Sequence, residues 1–153
     1  MNLEHLKELV QHAFDELKQN QSEISYKQLV DFHAQHKYLY FCYNVSGKTQ
    51  LGRIVANSSK ESVERVYERY EAELKQVLNS DISNGRVVNA LAHMAGYFKK
   101  DLSTEERQAL MDRIERLANQ LEDLPLVLAQ IHAYAVQYHQ TYIAQQRIFD
   151  LIK

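Results

Sequence analysis

A chain of 153 residues is long enough for one domain with its own hydrophobic core and gives no reason to expect a second. Four glycines and one proline leave too little turn material for an all-β fold, and the single cysteine, Cys42, excludes an internal disulfide, a cysteine-based zinc site or an iron–sulfur cluster held by this chain alone. The formal net charge of −2 hides a segmental pattern, because residues 25–60 carry Lys27, Lys37, Lys48, Arg53 and Lys60 against Asp31 alone, and residues 81–100 carry Arg86, Lys99 and Lys100 against Asp81. If the two basic segments pack together, they form a locally positive site on an acidic protein, suited to an anionic small ligand or to limited contact with nucleic-acid phosphates. No apolar run approaches the roughly 20 residues of a membrane span, and the N-terminus is acidic and amphipathic, so a soluble, unprocessed, cytoplasmic protein without a membrane partner is expected.

In chain order, Leu3, Leu6, Leu9/Val10, Ala13/Phe14 and Leu17 recur at helical spacing, which predicts a packing helix over residues 2–19. Residues 1–24 are read as an N-terminal packing helix and 25–153 as the remainder of one structural domain. After the polar linker Asn20–Glu23, Ser25 and Gln28 form a capping-box pattern and a central helix runs to about Tyr43. Residues 44–48 are read as the loop that ends it, and Leu51–Asn57 as a short helix or turn. Ser58 with Glu61 predicts a cap for a helix from about Lys60 to Leu78. A helix follows over 84–100, and Ser103 with Glu106 caps another to about Leu121. Asp123 and Pro125 stand where a cap and a first-turn proline belong, opening a helix through Tyr138, and a last helix covers 142–152. The expectation is an all-α fold, a single compact bundle of six to seven helices.

Two stretches carry unusual chemistry. At about 100° per residue the central helix sets Leu29, Phe32, His33, His36, Tyr40 and Tyr43 on one face, so two imidazoles lie in the stripe that should face the core, with Lys37 beside them. The 84–100 helix divides into an apolar side (Val87, Leu91, Met94, Ala95, Phe98) and a side carrying Arg86, Asn89, His93, Gly96, Tyr97 and Lys100. An amide, an imidazole, a phenol and two cations around a glycine are ligand-gripping groups. Gly96 costs about 1 kcal/mol against alanine inside a helix, which predicts a close approach to the backbone there. Facing each other across a cleft, the two helices would let the polar side of the second satisfy the imidazoles of the first.

Other chemistries find less support. His33 and His36 are spaced as half of a metal site, and no spacing shows a third or fourth ligand converging on them, so no metal and no cofactor is expected. No phosphate-binding glycine loop, nucleophile elbow, H-E-x-x-H or EF-hand pattern is present. Cys42 in its aromatic surroundings is read as an inert thiol.

Leu29–Lys37 (LVDFHAQHK), Leu51–Asn57 (LGRIVAN), Asn89–Lys100 (NALAHMAGYFKK) and Leu124–Leu126 (LPL) together resemble the YbgA-like family of bacteria, a domain of unknown function (number 1722), across about residues 25–150. Members of that family occur alone or fused to a cysteine-rich domain similar to iron–sulfur thiouracil desulfurases, and the solitary form is associated with a photolyase gene. The resemblance implies that His33, His36, Lys37, Asn89, His93, Tyr97 and Lys100 belong together; Arg53 joins them from the basic segment. It points to a nucleobase, nucleotide or tRNA feature as ligand, a thiolated base included, and to a desulfurase-type protein as partner. Because the cysteine-rich part is missing here, desulfurase chemistry does not transfer to this chain. The expected function is therefore an accessory binding module, more a binder than a catalyst. The alternatives are a small enzyme with histidine as general acid or base on an anionic substrate, and a purely structural interaction module.

Overall fold

The computed structural model describes residues 2–19 and 25–153; the linker expected at Asn20–Glu23 lies outside the described residues. All regular structure among them is helical. Eight α-helices follow in order: α1 (Leu3–Gln19), α2 (Tyr26–Tyr43), α3 (Val45–Ala56), α4 (Val63–Leu78), α5 (Asn84–Ala95), α6 (Thr104–Arg116), α7 (Leu124–Gln137) and the single turn α8 (Thr141–Ala144). Tighter 3₁₀ turns cover Gly96–Phe98, Leu121–Asp123 and Arg147–Ile152.

α2 is the axis of the bundle. Ten of its side chains are buried, among them Leu29, Phe32, His33, His36 and the run from Tyr38 to Tyr43. A helix enclosed so completely needs neighbours on nearly every side; α3, α4 and α5 pack along it, and α1 and the C-terminal 3₁₀ turn complete the enclosure. α1 buries Leu3, Leu6, Val10 and Phe14, each worth roughly 1.5–3 kcal/mol when withdrawn from water. The Tyr43 hydroxyl donates to the Leu3 carbonyl at 2.6 Å and ties the end of α2 to the start of α1. The buried amide of Gln146 donates to the carbonyls of Ala34, at 2.7 Å, and Tyr142, which fastens the C-terminal segment onto α2.

The corner between α2 and α3 departs from the sequence reading. Residues 44–48 are not a loop. Asn44 closes α2 by donating its backbone N–H to Tyr40 at 2.8 Å, and its side-chain oxygen accepts from Gly47 N–H at 2.8 Å as the N-cap of α3. One residue serves both helices, so α3 begins six residues before the expected Leu51 and Lys48 stands on a helix face. After α3, Asn57 (φ 50°) and Lys60 (φ 54°) turn the backbone left-handed. Helix cannot restart through such a turn, so the cap of α4 is Ser62 and not Ser58. The Ser103–Glu106 capping box forms in full. The expected last helix is interrupted at Gln145–Gln146, and the expected 84–100 helix gives way at Gly96 to a 3₁₀ turn.

The close backbone approach expected at Gly96 occurs instead at Gly47. A Cβ on Gly96 would meet nothing within 4 Å, whereas one on Gly47 would stand 2.4 Å from Val77 Cγ2 and 3.2 Å from the capping side chain of Asn44. Gly47 is thus where α3 lies against α4. Gly47→Ala should destabilise the fold by about 1–3 kcal/mol through overpacking. Gly96→Ala should leave stability unchanged or raise it by up to about 1 kcal/mol. Urea denaturation of the pair checks the assignment, and equal effects would refute it.

Candidate functional site

His33 and His36 both reach the interior, 8% and 4% exposed, and each is held through Nδ1. The backbone carbonyl of Phe32 can only accept, so His36 Nδ1 carries the proton and donates to it at 2.7 Å. The Tyr70 hydroxyl donates to Tyr40 at 3.0 Å, which leaves the Tyr70 oxygen to accept from His33 Nδ1–H at 3.1 Å. A buried chain His33–Tyr70–Tyr40 thereby joins α2 to α4. Desolvation lowers both imidazoles to about 4; Lys37 adds to the effect on His33, and for His36 the Phe32 carbonyl opposes it. At neutral pH both are uncharged, with Nε2 as a lone-pair acceptor.

The two imidazoles open on different surroundings. A Cβ added to Gly52 of α3 would stand 3.7 Å from His33 Nε2, so this ring faces the α2–α3 seam. His36 stacks on Phe32, with ring centres 4.1 Å apart, and lines a groove built from α1, α2 and Arg147. The expected single cleft containing His33, His36, Lys37, Asn89, His93 and Tyr97 does not form. α2 and α5 do pack together, but His93 lies against Phe41, ring centres 5.1 Å apart. Phe41 is five residues beyond His36, about 140° around the helix. Asn89, His93, Tyr97 and Lys100 are all exposed. Arg53 is exposed as well, and stands about 140° around α3 from Lys48. Arg86 is structural, its guanidinium donating to the carbonyls of Tyr43 and Asp81 at 3.2 and 2.9 Å.

What the fold does assemble is a cationic and aromatic face on α2, α3 and α5. Lys48 Nζ lies 4.7 Å from the centre of the Phe41 ring and Lys37 Nζ 5.9 Å from that of Tyr38, both within cation–π range. The Phe41 and Tyr38 rings are nearly parallel, 11° apart with centres at 6.5 Å, and the aromatic contacts continue through Tyr142 to Tyr97. Neither lysine makes an ion pair among the described residues. Partial burial, and then the charge of Lys37, lower the pKa of Lys48. Two half-buried cations close enough to repel one another over aromatic rings form a place where an anion relieves the repulsion.

Sequence reasoning alone misses Lys48, Phe41, Tyr38 and Tyr142. Reading 44–48 as a loop hides Lys48; the available signal is Asn44 three residues before Gly47, an N-cap pattern that puts Lys48 and Gly52 on one helix face. Cys42 is fully buried, and desolvation pushes its thiol up to about 12, so it supplies no thiolate at neutral pH. Among the described residues no three His, Cys, Asp or Glu side chains converge as a metal site, and no helix is long and apolar enough to cross a membrane.

These features define a helical domain with a surface-facing candidate site, and comparison with known proteins supplies its family. The chain belongs to the family described as "Protein of unknown function (DUF1722)", whose model matches residues 37–151. It is 25% identical over 124 residues to the protein named "Uncharacterized protein YbgA" of Escherichia coli (strain K12), a similarity that covers 80% of this chain and 73% of that protein. No solved structure matches the chain. The matched segment takes in Lys37, Lys48, Phe41, His93 and Tyr97, while His33 and His36 precede it.

The neutral histidines predict a pH dependence. Their folded pKa lies below the unfolded value of about 6.5, so their contribution to stability is complete above 6.5 and is lost as pH falls toward about 4. The slope reaches about 1.4 kcal/mol per pH unit for each histidine. Urea melts between pH 7 and 4.5 should show this loss, and His36→Phe should flatten it. In the same assay, Tyr70→Phe should cost about 1–3 kcal/mol by leaving the buried His33 N–H without an acceptor.

Proposed function

We propose that this protein is a binding module for nucleotides or single-stranded nucleic acid, with Lys37 and Lys48 engaging phosphate and the exposed rings of His93 and Tyr97 stacking a base. The observation that carries this reading is the pair of unpaired, mutually repelling lysines, each over an aromatic ring. Cations that track phosphates beside rings that stack bases are the elements by which single strands are held with little sequence preference. A tRNA loop or a thiolated nucleotide meets the same requirements. Within this reading the module works in the cytoplasm and presents such a substrate to a separate desulfurase-type protein, as the fused members of the family suggest.

Catalysis by the two histidines fits less well. General acid–base work near neutral pH favours a group that titrates there. Imidazoles held at about 4 by burial, one hydrogen-bonded to a tyrosine and the other to a backbone carbonyl, are poorly matched to that role.

The test is binding of labelled tRNA and single-stranded DNA across a range of salt concentrations. Affinity should fall with salt, and the Lys37→Ala/Lys48→Ala double variant should lower the log–log salt slope by about 2, roughly one per lysine. Lys75→Ala, an exposed lysine on α4, should leave it unchanged. Binding that ignores both salt and the double substitution, or no binding to either nucleic acid, overturns the reading.

A further inference from the structure

The groove that receives His36 is a site of a different kind from the lysine face. Two connected cavities, of about 420 and 200 Å³, meet at His36 and Arg147 between α1, α2 and the C-terminal turn. The larger lies within the roughly 300–1,000 Å³ usual for small-ligand pockets. Its floor is the stacked pair Phe32 and His36, both buried. Since Nδ1 is committed to the Phe32 carbonyl and no hydrogen bond engages Nε2, and since no fully buried side-chain nitrogen or oxygen among the described residues lacks a partner, Nε2 must open into the groove. It is an acceptor without a donor.

The rim is acidic. Glu16 borders both cavities, Asp31 the larger and Asp150 the smaller; Asp31 Oδ2 also meets Lys27 Nζ, and Glu16 Oε1 meets His12 Nε2, each at 2.9 Å in a solvent-exposed pair of the kind that contributes little. Arg147 is the one cation shared by both linings, and its guanidinium is already paired with Asp150 at 2.9 Å. Phosphates and carboxylates are therefore disfavoured here, in contrast to the lysine face. An in-plane nitrogen acceptor in a groove bordered by carboxylates is complementary to a planar cation that projects several N–H donors.

The geometry points to a second binding site, for a small amidinium or guanidinium compound, whose N–H groups are shared between His36 Nε2 and the Asp31 carboxylate. This site stands apart from the proposed nucleic-acid face and does not depend on it. Glu16 adds negative potential at the mouth, and Gln35 offers a further carbonyl acceptor. Ligand selection rests on charge and on N–H donors together: a neutral amide of the same shape keeps some donors and loses the charge, and an anion loses both.

Benzamidine, benzamide and benzoate form the test series, with titration calorimetry as the affinity measurement and the ¹⁵N resonance of His36 Nε2 as the locator. Benzamidine should bind and shift the Nε2 resonance, benzamide should bind about tenfold more weakly or worse, and benzoate should not bind. Asp31→Asn, a change at an exposed position, should weaken benzamidine about fivefold or more. His36→Phe keeps the ring stack and removes the acceptor, so it should weaken binding about tenfold or more; should that variant fail to fold, the wild-type Nε2 shift decides. The Lys37→Ala/Lys48→Ala variant should bind benzamidine as the wild type does and yet fail with nucleic acid, which separates this site from the other. No benzamidine binding at about 10 mM, equal binding of all three compounds, or binding that leaves His36 Nε2 unmoved overturns the proposal.

Discussion

A helix buried on nearly every side has to find a partner for each polar group it carries inward, and α2 carries two imidazoles and three tyrosine side chains into the core. Leaving one such group unsatisfied costs about 1–3 kcal/mol, a sizeable share of the roughly 5–15 kcal/mol that holds a domain of this kind together. Much of the architecture answers that constraint. Tyr70 on α4 meets His33, the Phe32 carbonyl meets His36, and the Tyr43 hydroxyl reaches the Leu3 carbonyl. Those hydrogen bonds place α1 and α4 around α2, and the amide of Gln146 does the same for the C-terminal segment. Because the partners lie in different directions, the residual acceptor edges of the two histidines also look in different directions.

From that arrangement follow two chemically opposite surfaces. Toward α3 and α5 the outer residues of α2 are Lys37 and aromatic rings, joined by Lys48 and His93. Toward α1 and the C-terminal turn the rim is carboxylate over a stacked Phe32–His36 floor. A near-neutral chain can in this way offer an anion-seeking face and a cation-seeking groove on one helix, a distinction that net charge alone conceals.

The fold was legible in the sequence wherever local chemistry and tertiary packing agree. The stripe Leu3–Leu6–Val10–Phe14, the span of α2 with Ser25 at its start and the capping box at Ser103–Glu106 were all readable from spacing and caps. The burial of His33 and His36 was readable for the same reason. Legibility failed where one residue has two local roles. Asn44 can stop one helix and cap the next, and only the packing of Gly47 against Val77 selects the second role alongside the first. It failed again at Gly96, where a helix-interior position was inferred although the chain tightens into a 3₁₀ turn with open space around it. The candidate site was legible as residue types but not as a grouping: helical spacing puts His33 and His36 within about 60° of each other, and spacing cannot say that Tyr70 claims one while Arg147 borders the other.

The central claim, that burial holds both histidines neutral while their Nδ1 hydrogen bonds leave Nε2 as the free acceptor, has a direct spectroscopic test. Long-range ¹H–¹⁵N correlation spectra of the imidazoles should show His33 and His36 as Nδ1–H tautomers at pH 7, both unprotonated at Nε2 and unchanged down to about pH 5.5, as pKa values of about 4 require. An Nε2–H tautomer at either position, or an imidazolium signal growing in at about pH 6.5, would contradict the account.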